Sequence, residues 1–483
     1  MREQKKEYEK GLEIIQAVTT KEPANDGWQQ DLADKYDVLA NLFTSPGVFA
    51  DELREYQASL EIRARLAAKD PEMTDRQNDL SLAHNRVGLA MRANGDLAGA
   101  LSEFRTELAI STAVAAKQPD DATFQGNLAT SHQLVGEVLQ AQHDLAGALA
   151  EFRAELEVRT QLAARDPAND ERQQNVAVNH NRIGAILETQ GDLAAALKEF
   201  QSELALDGDL MQKNPAYTRW PREVAVGHNR IGGVLQAQGN LAGALKEFQA
   251  GLVLMTQLTA KVPDNTGWQQ DLSVSQNLIG RALQAQGELA AALKAFQAEL
   301  AIGDELAAKD PANSSRQRDL ALSHRLVGDT LYAQGDLAAA QKEYGTSVSI
   351  MTEVVKKEPS NAMWRRDLAA IHAVLSTARQ TAGDSAGALD SAHTGAAEIN
   401  AVTNDPSPDM SQQELVRIQR SIGAALRTQG DVADALAADR EAVRIMDELA
   451  DKAPAQAAWQ RDLAVSRGKV GLDLLAEGDA GNA

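Results

Sequence analysis

Alanine and leucine fill most of the apolar positions of this chain, and they come in stretches of about twenty residues broken at a glycine or a proline. Both are strong helix formers, so the stretches read as helices. One apolar–polar phrase, Gly-Asp-Leu-Ala-x-Ala-Leu, recurs along the whole length. Its glycine, taken as the reference column g, falls at Gly95, Gly191, Gly239, Gly287, Gly335, Gly383, Gly430 and Gly478, with His143 in the same column and Gly47 opening the series. The interval is 48 residues throughout, except for 47 between Gly383 and Gly430. A fixed period of this length is the mark of a repeat architecture. Repeats of this period fill the 483 residues and leave no room for a separate catalytic domain.

A second boundary lies halfway through each repeat. Pro23, Pro71, Pro119, Pro167, Pro215, Pro263, Pro311, Pro359 and Pro454 stand at g+24, and Pro406 is displaced by one, which places the deletion before it. Proline ends a helix, and Asn25, Asn169, Asn265, Asn313 and Asn361, two residues on, read as caps of the next one. The pattern thus predicts a helix A from about g−20 to g−1 and a helix B from g+1 to about g+22, each about 30 Å long. A left-handed residue at g turns A into B. The organisation expected is a half unit with helix B alone at 1–24, nine A/B units over 25–455, and a half unit with helix A alone at 456–483. The ends show no polar cap, so end-to-end self-association, or a neighbour outside this chain, is expected there.

Two columns read as packing devices. Glycine recurs inside helix A at g−7 (Gly88, Gly136, Gly184, Gly232, Gly280, Gly328, Gly423 and Gly471), where it costs about 1 kcal/mol against alanine. Its repetition implies a close approach of helix B, through Ala100, Ala148, Ala196, Ala244, Ala292 and Ala340 at g+5. Aromatic knobs follow at g+9: Phe104, Phe152, Phe200, Phe248, Phe296 and Tyr344. With Leu187, Gly191 and Pro215, the set Gly184, Ala196 and Phe200 resembles the tetratricopeptide repeat over nearly the whole chain, in a long 48-residue form where the family has 34. The resemblance implies an all-α, right-handed α-solenoid of about ten antiparallel helix pairs whose A helices line the concave face. Ala392 and Asp439 replace the aromatic knob, and Ser376 the g−7 glycine, so looser packing is expected toward the C-terminus. The family's small residue at g+12 is instead Glu107, Glu155, Glu203 and Glu299.

Composition narrows the function. The net charge is −21, with no run of Lys and Arg, which argues against nucleic acid. There is no cysteine, hence no disulfide or thiolate site. No leader-like segment and no apolar run long enough for a membrane span occurs, so a soluble, cytoplasmic protein is expected. No phosphate-binding GxxxxGK[ST], HExxH or GxSxG pattern is present, so neither an enzyme nor a cofactor is expected. All five tryptophans share g−19 (Trp28, Trp220, Trp268, Trp364 and Trp459), with Phe124, Arg76, Arg172 and Arg316 in the same column. One shared column reads as packing, with the arginine stems covering the same surface. Six of the eight histidines share g−11 (His84, His132, His180, His228, His324 and His372), and parallel stacking about 8–10 Å apart suits interhelical packing better than a metal.

Positions g−10, g−6 and g−3 of helix A fall on one stripe. It holds Asn85, Arg92, Gln133, Glu137, Gln140, Asn181, Glu188, Asn229, Gln236, Asn277, Arg281, Gln284, Arg325, Asp329 and Tyr332. Eight of these fifteen are primary amides, which donate to and accept from a peptide backbone at once. The stripe predicts a scaffold that binds an extended peptide or protein segment. The alternative is a ligand-sensing or regulatory arm of a bacterial signalling or defence system whose effector lies outside this chain.

Overall fold

The computed structural model describes residues 2–42, 49–402 and 405–478; the expected turn at Gly47 lies outside them. The chain forms two compact units, Met1–Gln238 and Gly239–Ala483. The first contains α1 (Arg2–Lys21), α2 (Asp26–Asn41), α3 (Phe49–Lys69), α4 (Thr74–Ala93), α5 (Leu97–Lys117), α6 (Ala122–Ala141), α7 (Leu145–Arg165), α8 (Asp170–Thr189), α9 (Leu193–Lys213) and α10 (Arg219–Ala237). The second contains α11 (Leu241–Lys261), α12 (Thr266–Ala285), α13 (Leu289–Lys309), α14 (Ser314–Ala333), α15 (Leu337–Lys357), α16 (Ala362–Thr381), α17 (Ser385–Asn400), α18 (Pro408–Gln429), α19 (Val432–Lys452) and α20 (Ala457–Ala476). No strand occurs among the described residues. Even-numbered helices are the A helices and odd-numbered ones the B helices. Within each unit a helix packs on its neighbours in sequence, and A helices of adjacent pairs also touch, as α14 with α16 and α16 with α18.

The caps follow the sequence. Asn25, Asn169, Asn265, Asn313 and Asn361 each accept a backbone N–H at the start of an A helix. In most repeats the residue after g caps the B helix in the same way, as Asp96 does for Gly99 N at 2.9 Å and Asp144 for Gly147 N at 2.9 Å, whereas Glu288 and Asp431 make no side-chain cap bond. The turn itself needs a left-handed backbone. Every described glycine of the g column has φ between 81° and 91°, and His143, which stands in for glycine, is held at φ 63°. The one-residue deletion is taken up by α17, which has 16 residues where the other B helices of the second unit have 21.

The g−7 glycine meets the aromatic ring of g+9 rather than the g+5 alanine. A Cβ on Gly184 would stand 2.7 Å from Phe200 Cε1, and one on Gly88 2.5 Å from Phe104 Cε1, far inside contact distance. Phe104, Phe152 and Phe296 have no exposed surface and Phe200 has 1%. Each ring therefore lies edge-on against bare helix backbone, and the alanine at g+5 is buried beside it.

The expected loosening toward the C-terminus is not what the knob-free pairs do. Ser376 Oγ donates to the Ala388 carbonyl at 2.8 Å, and Ala392 sits buried among Ala369, Ala373, Ile418 and Ile422. Asp439 takes the ring's place beneath Gly423 and is fully buried. Arg427 reaches it at 2.6 Å and reaches the equally buried Asp473 at 2.5 Å. Burial, then the hydrogen bond with Asp473, pushes the Asp439 carboxyl up to about 6.

Three stability changes are expected at these positions. Phe200→Ala should cost about 3–5 kcal/mol through the cavity it leaves, and Gly184→Leu at least about 2 kcal/mol by displacing a rigid ring. His143→Gly should raise stability by roughly 0.5–1 kcal/mol, because glycine holds the left-handed turn without the Cβ penalty. Urea unfolding of the single variants checks all three, and an unchanged midpoint for Gly184→Leu would refute the ring-on-glycine contact.

Candidate functional site on the A helices

The stripe at g−10, g−6 and g−3 lies partly on the A-helix surface and partly in the seam with the neighbouring helices. In the first unit Asn85 Nδ2 donates to Glu107 Oε1 at 3.1 Å, and Asn181 Nδ2 to Glu203 Oε2 at 2.9 Å. In the second unit Asn277 Nδ2 donates to both oxygens of Glu299 at 3.1 Å. The three asparagines thus have a structural partner, the g+12 glutamate of their own helix pair. Asn229 is half-buried.

Three further residues of the first unit's stripe are tied, and three more lie at least partly open. Arg92 pairs with Glu137 at 2.7 Å, Gln133 donates to Glu137 at 2.8 Å, and Arg159 donates to Gln133 at 3.0 Å. Gln140 and Glu188 are exposed and Gln236 is half-exposed. In the second unit Arg281, itself exposed, donates from Nε to Asn277 Oδ1 at 2.9 Å, and Gln284 is half-exposed. Arg325 lies 3.7 Å from Asp329, Asp329 accepts from Tyr344 Oη at 2.7 Å, and Tyr332 Oη bonds Thr381 Oγ1 at 3.0 Å.

The g+12 glutamates are almost completely buried: Glu155 has no exposed surface, Glu107 2%, Glu203 4% and Glu299 7%. Burial is costly for a carboxylate unless it is paired and hydrogen-bonded. Glu107 receives only neutral donors, Asn85 and Ser131, and burial pushes it up to about 7. Burial together with Glu203 pushes Asp207 up to about 7 as well. Glu155 instead receives Arg159 at 2.5 Å and Arg182 at 3.4 Å, and Glu203 receives Arg230 at 2.6 Å.

The histidine column has a partner that the sequence reading missed. His84, His132 and His180 each place Nδ1 2.6 Å from the g+8 glutamate, Glu103, Glu151 and Glu199, and His324 lies 2.7 Å from Glu343. These pairs clasp A to B within one helix pair. The signal was present: the repeat with Gln276 in place of histidine carries Ala295 in place of glutamate. The repeat of His372 has Ser391 at g+8 instead, and His372 is buried, which pushes it down to about 4. In the g−19 column the arginines do more than cover apolar surface: Arg76 and Arg172 donate to the carbonyls of Leu66 at 3.2 Å and Leu162 at 3.1 Å.

No protein-family profile and no curated protein sequence matches this chain. Among solved structures, the apo form of RapI aligns over 84% of this chain and 99% of its own, at 10% identity and a TM-score of 0.51. A Rap protein complexed with competence and sporulation factor aligns over 78% of this chain and 99% of its own, at 11% identity and a TM-score of 0.38. A signal transduction ATPase with a tetratricopeptide repeat sensor from Pyrococcus horikoshii aligns over 74% of this chain and 50% of its own, at 10% identity and a TM-score of 0.44. Similarity at such identities concerns the fold. No helix among the described residues is long and apolar enough to cross a membrane.

Glu107 supplies a pH prediction. Its carboxyl is raised in the folded chain, so its favourable contribution is complete below the unfolded value near 4.5 and is lost as pH rises through about 7. The stability of Glu107→Gln relative to the parent should therefore shift in the variant's favour by roughly 3 kcal/mol between pH 4 and pH 8. Urea unfolding at the two pH values measures it, and a difference independent of pH would show that Glu107 ionises normally. Fold, column chemistry and structural likeness agree: each unit of this chain is an all-α helical-repeat solenoid of the tetratricopeptide-like fold.

Proposed function

We propose that the chain is a non-catalytic protein–protein interaction scaffold, built as one run of repeats, which binds an extended peptide or protein segment along its A helices. The observation that supports this reading most is the polar stripe that recurs on successive A helices and is linked across one seam, by Arg92 on Glu137. That pair joins the stripe of α4 to the stripe of α6. A polypeptide laid across it meets side chains already held in place, which reduces the ordering cost of binding.

The roles within the strip differ. Asn85, Asn181 and Asn277 give their donors to buried carboxylates, so their replacement disturbs the fold as well as the surface. Gln140 and Glu188 are exposed and Gln284 is half-exposed. A glutamine amide there donates and accepts together and so suits a peptide main chain. The partner is a protein or peptide. The acidic balance of the chain disfavours a nucleic acid.

The absence of cysteine makes the reading testable without background labelling. Single cysteines at Gln140, Glu188 and Gln284 on A helices, and at the exposed Lys198 and Lys246 on B helices, would carry a photo-crosslinker. Against a library of random extended peptides, the A-helix sites should capture several-fold more peptide than the B-helix sites. Equal or greater capture at Lys198 and Lys246 would move the binding surface off the A helices.

A further inference from the structure

The repeats of this chain can be compared with one another, and two of them, at Glu107 and Glu299, bury the g+12 glutamate without the arginine that others supply. At the seam between one A helix and the next, several repeats place an arginine over a buried carboxylate. Arg63, 5% exposed and at g+16 of its B helix, bonds Asp34 at 2.6 Å and Asp37 at 2.7 Å. Arg159, also at g+16, bonds Glu155 at 2.5 Å. Arg182 and Arg230 come to the same seam from g−9 of the following A helix, onto Glu155 and Glu203.

At Glu299 both sources are missing. Position g+16 is Gly303, and g−9 of the following A helix is Leu326. In place of a guanidinium there is a cleft of about 330 Å³ between α12 and α14, floored by α13. Glu299 faces it, and Val274, Leu322 and Leu326 form apolar walls that would flank an aliphatic stem. Glu299 keeps only neutral donors, Asn277 Nδ2 and Ser323 Oγ, both at 3.1 Å. Burial pushes its carboxyl upward, and Asp319, the second acid of the cleft, is raised for the same reason.

Neither cation lining the cleft hydrogen-bonds Glu299, although Arg281 acts on it through space. Arg316 Nη1 donates to the Leu306 carbonyl at 3.4 Å, in the manner of Arg76 and Arg172. Arg281 turns its Nε to Asn277 Oδ1 at the exposed edge. Glu107 has the same pair of neutral donors as Glu299, but there Ser111 occupies g+16 and bonds Ser81 and Ser131. The space at Gly303 is real room for a side chain. A Cβ built on it would meet nothing nearer than Leu320 Cδ1 at 3.7 Å and Ser323 Oγ at 3.8 Å, both ordinary contacts.

We propose that this cleft receives an arginine side chain of a bound polypeptide, its guanidinium set on Glu299 as Arg159 is set on Glu155. The assignment rests on the A-helix binding reading given above and adds to it a side-chain specificity. Arginine fits better than lysine because its planar fork can bond a carboxylate through two donors while its stem covers apolar wall. The open cleft also lets the guanidinium enter from the face on which the peptide would lie.

The test uses the full-length chain and two acetylated, amidated pentapeptides, Ala-Ala-Arg-Ala-Ala and the same sequence with citrulline, which has arginine's shape without its charge. The arginine peptide should bind at least tenfold more tightly. Glu299→Gln should remove that preference. Gly303→Arg, which fills the cleft from within, should abolish it as well while keeping the parent's melting temperature or raising it. Gly303→Ala should retain the preference, which guards against a loss caused by change at position 303 alone. Equal binding of the two peptides to the parent, or a preference that survives Glu299→Gln in a folded variant, would overturn the assignment. If crosslinking still concentrates on Gln140, Glu188 and Gln284 while the peptides are not distinguished, the arginine site fails and the scaffold reading stands. If crosslinking moves to the B helices while the arginine preference persists and depends on Glu299, the scaffold reading fails and the site stands.

Discussion

The contact on which the rest depends is an aromatic ring lying on bare helix backbone. A phenylalanine at g+9 can reach the axis of its partner helix only where g−7 has no Cβ, and at Gly88, Gly136, Gly184 and Gly280 a Cβ would stand 2.5–2.7 Å from the ring. This fixes how closely A and B lie and how far one is slid along the other. With that register set, the histidine at g−11 meets the glutamate at g+8, and the asparagine at g−10 meets the glutamate at g+12. Both polar contacts are consequences of the ring's position. In the pair that has Asp439 instead, a different set of partners, Arg427 and Asp473, closes the same space.

A second constraint acts between pairs. The carboxylates at g+12 are buried where one A helix meets the next, and the chain accommodates them in two ways. Glu155 and Glu203 meet arginines, whereas Glu107 and Glu299 meet amides and hydroxyls and are pushed upward by burial. A buried ion pair is costly to break and adds little over apolar packing, so such seams serve specificity of stacking more than stability. The g+16 position beside these glutamates is thus filled in four different ways in one molecule: Ser111, Arg159, Asp207, and at Gly303 no side chain at all.

The architecture was legible because its signals are local. The g column, the proline column and the capping asparagines act within a few residues of themselves, so their spacing alone set the helix ends, and even His143 takes the left-handed turn its column demands. The polar columns were read less well. Asn181 and Asn277 lie on one stripe with Glu188 and Gln284, and a single helix reading cannot say where that stripe passes from open surface into a seam. Only the partner helix decides that, 22 residues away at Glu203 and Glu299. The joint loss of the g−11 histidine and the g+8 glutamate, as Gln276 with Ala295 and again as Gln419 with Ala438, was the sequence clue that these columns answer to each other. Asp439 was misjudged for a similar reason: the arginine that makes its burial tolerable, Arg427, belongs to the facing helix.

Every tie described here is short in sequence. Arg76 reaches back 50 residues to Asp26, and no hydrogen bond named in either unit reaches further. Each helix pair therefore presents one surface to the pair before it and a different, complementary surface to the pair after it, and the two recur from pair to pair. Excision or duplication of a whole 48-residue segment would join surfaces that already complement each other. For such a chain, recombination in register is a conservative change, and a frame slip of even a few residues is not. The number of repeats is then free to drift in evolution while the seams that join them are held fixed.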